Sequence, residues 1–143
     1  MDESGFAVDA PRTHGYAQVG NRCYGSCDWH ARGRINVIGA SINMKIMSIG
    51  LFDCNIDSDV FYQWVIVCLL PTLSETSVIV LDNPTFHKRQ DIQQAMIDAG
   101  HILLYLPPYS PDLNEIEHKW AQAKAIRRKL QCGVDELFTD HVC

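Results

Sequence analysis

The chain has 143 residues, enough for one domain with a sizeable hydrophobic core. Apolar residues make up 47% of it and charged residues 20%, which is typical of a globular protein and excludes a disordered one. The longest apolar run, residues 64–70, is too short to cross a bilayer, which takes about 20 residues. The N-terminus also lacks the basic and apolar segments of a secretory signal. We therefore expect a cytoplasmic protein that makes no membrane contact.

The formal net charge of −5 argues mildly against a nucleic-acid partner, because phosphate binding usually requires a basic surface. The basic residues are unevenly distributed, however, and five of them lie within residues 119–129. Such a distribution fits an ordinary surface, and it also fits an acidic metal site with basic flanks. Charge alone favours the ordinary surface.

The six cysteines are expected to be reduced in a cytoplasmic chain. Cys54 and Cys68 stand in apolar contexts, which predicts core positions. Cys23 and Cys27 are four positions apart with two histidines nearby, so a zinc site is an alternative for them. No second pair of cysteines or histidines has finger-like spacing, which makes zinc the weaker interpretation.

The first third of the chain predicts strands. Residues 34–43 alternate in polarity and are rich in β-branched side chains. The following strand contains Gly50, a candidate position for a bulge or bend, and we expect these two strands to form a hairpin around residues 43–45. The expected elements are strands over residues 3–8, 34–43 and 44–54, with a long connection over residues 11–34 rich in Gly, Arg, His and Cys.

The remainder predicts helices that alternate with strands. Capping residues precede the first helix, apolar side chains recur through it at helical spacing, and Gly100 ends the second helix. The expected elements are a helix from residues 57–59 to Pro71, a buried parallel strand over 77–81, a helix over 87–99, a buried strand over 101–106, a rigid loop over 107–111 and a helix from Asn114 to about Leu130. The side chains expected to face inward are Val60, Phe61, Trp64, Val65, Cys68, Leu69, Ile92, Met96, Ile97, Ile116, Trp120, Ala123 and Leu130.

The element order is therefore β-β-β-α-β-α-β-α. The last part requires right-handed crossovers and parallel strands, whereas the first part requires an antiparallel meander. An α/β fold with a mixed five-stranded sheet flanked by helices satisfies both requirements. That is the topology of the ribonuclease H-like fold, and we expect residues 1–143 to form a single such domain.

Three carboxylates are candidates for one site in this fold. Asp82 ends a buried strand, at the edge where α/β sheets gather ligands, although it could also simply start a turn. Glu117 lies in the first turn of the last helix, where Asn114 and Glu117 resemble a capping box; the same position could face the end of the Asp82 strand. Asp2 heads a strand that would neighbour the strand of Asp82. Three oxygen ligands suit Mg²⁺ or Mn²⁺, and two such ions can activate an attacking oxygen and stabilise a leaving one.

The last helix carries a basic stripe on the face of Glu117. Ala121, Lys124 and Arg128 share that face at helical spacing. Two cations that follow a carboxylate would suit a phosphate backbone that passes a metal site. A solvated basic stripe explains the same pattern equally well.

The segment LDNPTFHKRQDIQQAMIDAGHILLYLPPYSPDLNEIEHKW resembles the signature of DDE-type transposases of the Tc/mariner superfamily, most of all their bacterial insertion-sequence members. The opening DESGF resembles the family's first motif, and GRINVIGA resembles its second strand. Thirty-four residues separate Asp82 from Glu117, a spacing associated with one branch of that superfamily. PPYSPDLN also argues against another ribonuclease H-like nuclease, such as a resolvase.

The resemblance implies metal-dependent hydrolysis of DNA at transposon ends and transfer of the freed 3′ hydroxyl to target DNA. Asp2, Asp82 and Glu117 match the family's metal-binding acidic residues, which bind Mg²⁺ or Mn²⁺, expected as two ions. Asn83 and His87 match accompanying positions of the second motif. The implied partners are DNA and, as candidate protein partners, a second copy of the chain or a full-length transposase.

Two departures from the family pattern bear on these expectations. The family usually has Pro at the position of Glu115, which here adds an acid about 200° around the helix from Glu117; we keep Glu117 as the ligand. The family normally has helix-turn-helix domains and an apolar run before its first Asp, whereas this chain begins one residue before Asp2. We therefore expect an N-terminally truncated catalytic domain without that DNA-recognition module. An inactive fragment that binds only DNA or a full-length partner is the alternative.

Overall fold

The computed structural model describes residues 1–7, 33–82 and 88–142. The strands in these ranges are β1 (Asp2–Ala7), β2 (Arg34–Ile42), β3 (Lys45–Phe52), β4 (Val78–Leu81) and β5 (Ile102–Tyr105). The helices are α1 (Ser58–Trp64), α2 (Leu70–Thr72), α3 (Gln90–Asp98), α4 (Glu115–Leu130) and α5 (Val134–Glu136), with π-helical segments Val65–Leu69 and Leu137–Val142 and a 3₁₀ turn at Pro111–Leu113. The predicted element order is confirmed as far as α4, and α5 with the π-helical segment after it extends it. None of these helices combines the length and the apolar character needed to cross a bilayer.

β1, β2 and β3 form an antiparallel meander, as predicted. The turn between β2 and β3 is made by Asn43 and Met44, whose φ angles are 50° and 61°. A two-residue hairpin turn in which both residues have positive φ matches the right-handed twist of the flanking strands. The predicted irregularity at Gly50 is wrong, because the register shifts between Ala40 and Ser41 instead.

The expected single five-stranded sheet is not formed by the described residues. β4 and β5 pair in parallel as a separate two-stranded sheet beside the three-stranded meander. The amine of Met1 donates a hydrogen bond of 2.7 Å to the carbonyl of Val80 and so links the two sheets. A β-ladder needs successive paired residues on both strands. The bond from Met1 to Val80 is a single contact made by the residue before β1, so it does not pair β1 with β4.

Helix α1 and the π-helical segment after it bury the face that helical spacing predicts. The Asp57 side chain caps α1 by accepting from the backbone amides of Asp59 (3.0 Å) and Val60 (2.9 Å). Cys54 and Cys68 are buried in the cluster that α1 and α3 form with both sheets, which confirms their predicted core positions. The other predicted inward residues of this segment are also buried: Val60, Phe61, Trp64, Val65 and Leu69.

Two residues predicted to face the core are exposed. Ile97 is exposed because the buried stripe of α3 consists of Ile92 and Met96, one helical turn apart, and Ile97 points about 100° away from it. Leu130 is exposed at the last position of α4, next to Gln131, whose left-handed conformation ends the helix.

β4 and β5 are buried on one face only, so the prediction of fully buried strands is wrong. Ile79 and Leu81 face the core, whereas Val78 (56%), Ile102 (58%) and Leu104 (51%) are exposed. Helix α4 packs against β1 and β2, and the opposite face of β4 and β5 stays uncovered by the described residues.

Helix α4 packs tightly against β2 at Gly39. A β-carbon at Gly39 would lie 2.6 Å from the Trp120 ring and 3.2 Å from the Ile116 side chain. Trp120 and Ile116 are buried in a second cluster, together with Phe138 and Phe6. Glycine at this position therefore allows the first half of α4 to lie directly on the sheet.

Gly39→Val should destabilise the protein by about 1–3 kcal/mol, since overpacking displaces a well-packed neighbour. Gly133→Ala is the matched control, because nothing lies within 4 Å of a β-carbon there. Urea denaturation measures both free energies of unfolding. Equal stability of the two variants would show that α4 is not held against Gly39.

Candidate active site

The side chains of Asp2 and Glu117 meet where α4 begins. Asp2 is paired with Gly39 in the β1–β2 ladder, and α4 lies on Gly39, so the first turn of the helix reaches Asp2. Asp2 is only 5% exposed. Burial, together with a hydrogen bond to Glu117, raises the pKa of Asp2 to about 8. Near neutral pH this favours the protonated form of the Asp2 carboxyl, with its proton in the hydrogen bond to Glu117.

Asn114 ties the start of α4 to the start of β1. Its side-chain amide donates a hydrogen bond of 3.4 Å to the Met1 carbonyl, and the residue is 4% exposed. The predicted capping box is therefore wrong. Asn114 occupies the N-cap position without a side-chain cap, its own N–H donates to Pro111, and the side chain of Glu117 contacts Asp2 instead.

Asp82 lies on the wall of a cavity that Glu117 also lines. The parallel pairing of β4 and β5 continues through a 2.9 Å hydrogen bond from the Leu106 amide to the Leu81 carbonyl, which places the ends of both strands side by side. The cavity has a volume of about 390 Å³. Its lining comprises Asp82, Leu106, residues 108–111, Asn114 and Glu117.

Glu117 therefore connects the three predicted carboxylates. It contacts Asp2, and it lines the same cavity as Asp82. Within residues 1–7, 33–82 and 88–142, no three His, Cys, Asp or Glu side chains are arranged to hold one metal ion. The donors nonetheless fit a hard divalent cation, because the buried Asp2 carboxyl contacts the half-buried Glu117 carboxyl, and carboxylate oxygens are the ligands that such a cation prefers.

The remaining predicted site residues are placed as follows. Lys124 is half-buried, with its amine 5.5 Å from the centroid of the Phe6 ring, about 10 Å along α4 from Glu117. Arg128 and Glu115 are exposed. Asn83 and His87, like the candidate zinc pair Cys23 and Cys27, lie outside the described residues.

Sequence reasoning missed the positioning residues of this site. Gly39 and Asn114 bring Glu117 to Asp2, but Gly39 has no functional group and Asn114 looked like an ordinary cap. One signal was available for Asn114, which belongs to the PPYSPDLN motif.

The fold is similar to that of a transposase. Two solved structures match at 15% sequence identity: a Mos1 transposase paired-end complex with the left transposon end, with a TM-score of 0.55, and the Mos1 strand transfer complex, with a TM-score of 0.59. The alignments cover 99% and 95% of this chain, but 49% and 47% of the Mos1 chains. The chain therefore spans about half the length of these proteins, and the likeness establishes a mixed α/β fold of the Mos1 type.

A family model described as DDE superfamily endonuclease matches residues 1–135, so the chain belongs to that family. Its members generally depend on divalent metals. No curated protein matches the chain. The predicted DDE membership is confirmed at the level of this family.

The buried Asp2 predicts a pH-dependent stability in metal-free buffer. The folded pKa of about 8 lies above the ordinary value of 3.8, so the folded state keeps a proton that the unfolded chain releases. This contribution is complete below about pH 4 and is lost as the pH rises to about 8. In Asp2→Asn it is absent, and the free energy of unfolding of the wild type should fall relative to this variant between pH 5 and 8.

Urea denaturation with a chelator measures that difference. The pKa of the Met1 amine is lowered, chiefly by burial, and acts in the opposite direction, but it is present in both proteins and largely cancels. Glu136→Gln, on the exposed side of α5, should keep the wild-type dependence. Parallel curves for wild type and Asp2→Asn would contradict the burial and pairing of Asp2.

Proposed function

We propose that this chain is the catalytic domain of a DNA transposase, a bacterial insertion-sequence relative of the Tc/mariner superfamily. It hydrolyses a DNA phosphodiester at transposon ends and joins the freed 3′ hydroxyl to target DNA, with residues 1–143 forming one domain. The observation that carries this proposal is the contact between the buried Asp2 and Glu117, next to a cavity whose wall holds Asp82. Membership of the DDE superfamily endonucleases supports the reaction class.

Asp2, Asp82 and Glu117 are the proposed ligands of Mg²⁺ or Mn²⁺, with two ions in the active complex. Metal held by these residues would supply activation of the attacking oxygen and stabilisation of the leaving one. The chain itself supplies the oxygen donors and their positions. α4 orients Glu117, and β1 orients Asp2, whose carboxyl is buried. Asn83 and His87, which follow Asp82 in the second motif, are assigned to the same site.

DNA is the proposed partner, and a second copy of the chain or a full-length transposase is the candidate protein partner. The structures that the chain resembles are of Mos1 transposase, one of them with a transposon end. Arg128 is exposed on the face of α4 that carries Glu117, which suits contact with a phosphate. Lys124, on the same helix, has its amine over the ring of Phe6 in β1. It would reach a phosphate only at the edge of that ring.

Purified protein should nick supercoiled plasmid DNA in the presence of Mn²⁺. Asp82→Asn and Glu117→Gln should each reduce the nicking rate by about 100-fold or more, because loss of an outer-shell partner alone typically costs 10–100-fold. Glu115→Gln is the matched control on the same helix turn and should retain the wild-type rate. An equal loss in Glu115→Gln would remove Glu117 from its assigned role.

A second candidate is a fold that binds DNA or a full-length transposase and cuts nothing. It is favoured by the separation of the two sheets and by the lack, in the described ranges, of a three-residue metal group. Gel-shift titrations alongside the nicking assay distinguish the two candidates. DNA binding with no nicking, unchanged in Asp82→Asn and Glu117→Gln, would support this second candidate.

A further inference from the structure

Tyr109 stands at the edge of the carboxylate cavity with its ring in solvent. It is 101% exposed, the most exposed of the large hydrophobic side chains in the described ranges. It also lines the cavity that Asp82 and Glu117 share. Because exposure of an aromatic ring forgoes its large gain from burial, packing among the described residues does not explain a tyrosine at this position.

The backbone holds Tyr109 in a strained conformation. Its φ of 58° is in the left-handed region, which is unfavourable for a bulky residue. Prolines at 107, 108 and 111 fix the φ angles around it. The loop is closed by hydrogen bonds from the Ser110 hydroxyl to the Pro108 carbonyl (3.4 Å) and from the Leu113 amide to the Ser110 carbonyl (3.2 Å). The loop therefore presents the ring outward, and strain of this kind gathers at functional sites.

The chemistry of the cavity restricts what such a residue can contact. Asp82 and Glu117 make this wall acidic, so a lysine or arginine at the rim would pair with the carboxylates that are to bind the metal. An uncharged aromatic ring can add to the affinity for a ligand without pairing with the metal-binding carboxylates. The π-face of a nucleobase is its natural partner, since stacking between bases and aromatic side chains tolerates any base sequence.

We infer that Tyr109 stacks on the base of a nucleotide next to the phosphate that the carboxylates engage. This rests on the proposed function, because it takes DNA as the substrate. Tyr109 thereby positions the strand at the site and takes no part in the chemistry. Its contribution is to hold one unpaired or unstacked base at the mouth of the cavity, beside Asp82 and Glu117.

The test uses the full chain and a DNA duplex that ends in a short single strand containing 2-aminopurine, with Ca²⁺ as the divalent ion. The wild type should bind this probe and quench its fluorescence. Tyr109→Asn should raise the Kd about 5–100-fold and abolish the quenching, in line with alanine substitutions at stacking sites. Tyr109→Phe, which keeps the ring, should bind within about twofold of the wild type.

Two controls separate stacking from a structural role. Asparagine tolerates the left-handed backbone, so the thermal midpoint of Tyr109→Asn should equal or exceed that of the wild type. Leu113→Asn removes another exposed apolar side chain nearby, which does not line the cavity, and should leave the Kd unchanged. A lower thermal midpoint in Tyr109→Asn with a proportionate loss of affinity would overturn the inference.

The remaining outcomes also decide the inference. An unchanged Kd in Tyr109→Asn would overturn it, and so would an equal loss in Tyr109→Phe, which would point to the hydroxyl. If the wild type nicks plasmid and Asp82→Asn does not, either of these two outcomes overturns the stacking role of Tyr109 and leaves the proposed function standing. If the wild type neither binds the probe nor nicks plasmid, the proposed function falls together with the inference.

Discussion

Helix α4 packs directly on the sheet at Gly39, which has no side chain to separate the helix from the strand. A β-carbon at Gly39 would overlap the Trp120 ring, and Gly39 is the residue paired with Asp2 across the β1–β2 ladder. The close approach therefore determines how far Glu117 stands from Asp2. The second cluster of buried residues, with the Trp120 and Phe138 rings 6.2 Å apart edge to face, keeps the helix in that position.

The same geometry brings the half-buried Glu117 carboxyl against the buried Asp2 carboxyl. Burial removes the hydration of an ionised Asp2 carboxylate, and the hydrogen bond to Glu117 also favours the protonated form, so the pKa of Asp2 rises. The protein thereby gives up stability at neutral pH at the position proposed to bind a cation. Asn114 limits this cost by joining the start of α4 to Met1 through its buried amide. The strained backbone of Tyr109 on the neighbouring loop is a second local cost in stability beside the proposed cation position.

Much of the fold could be predicted from local patterns. The side chain of Asp57 caps α1 as expected, and Gly100, with a φ of 89°, follows the end of α3 where a left-handed residue is required. Periodicity, however, reports which residues are apolar and not which strands pair. It therefore missed the separation of the two sheets and the exposed face of β4 and β5.

The site could be predicted in part only, because its contacts are remote in sequence. Spacing and resemblance pointed to Asp2, Asp82 and Glu117. The local pattern also assigned Asn114 to a cap, but a partner 113 residues away along the chain takes its side chain instead. A short-range motif describes the contacts that neighbouring residues can make, and tertiary packing decides among them.

The most direct measurement is an anomalous difference map from crystals of the full chain grown with Mn²⁺. We expect a peak bounded by the carboxylates of Asp2, Asp82 and Glu117, on the wall of the cavity that Tyr109 also lines. The peak should disappear in Glu117→Gln and persist in Glu115→Gln. A fully occupied Mn²⁺ peak elsewhere, with the three carboxylates free of metal, would contradict the account.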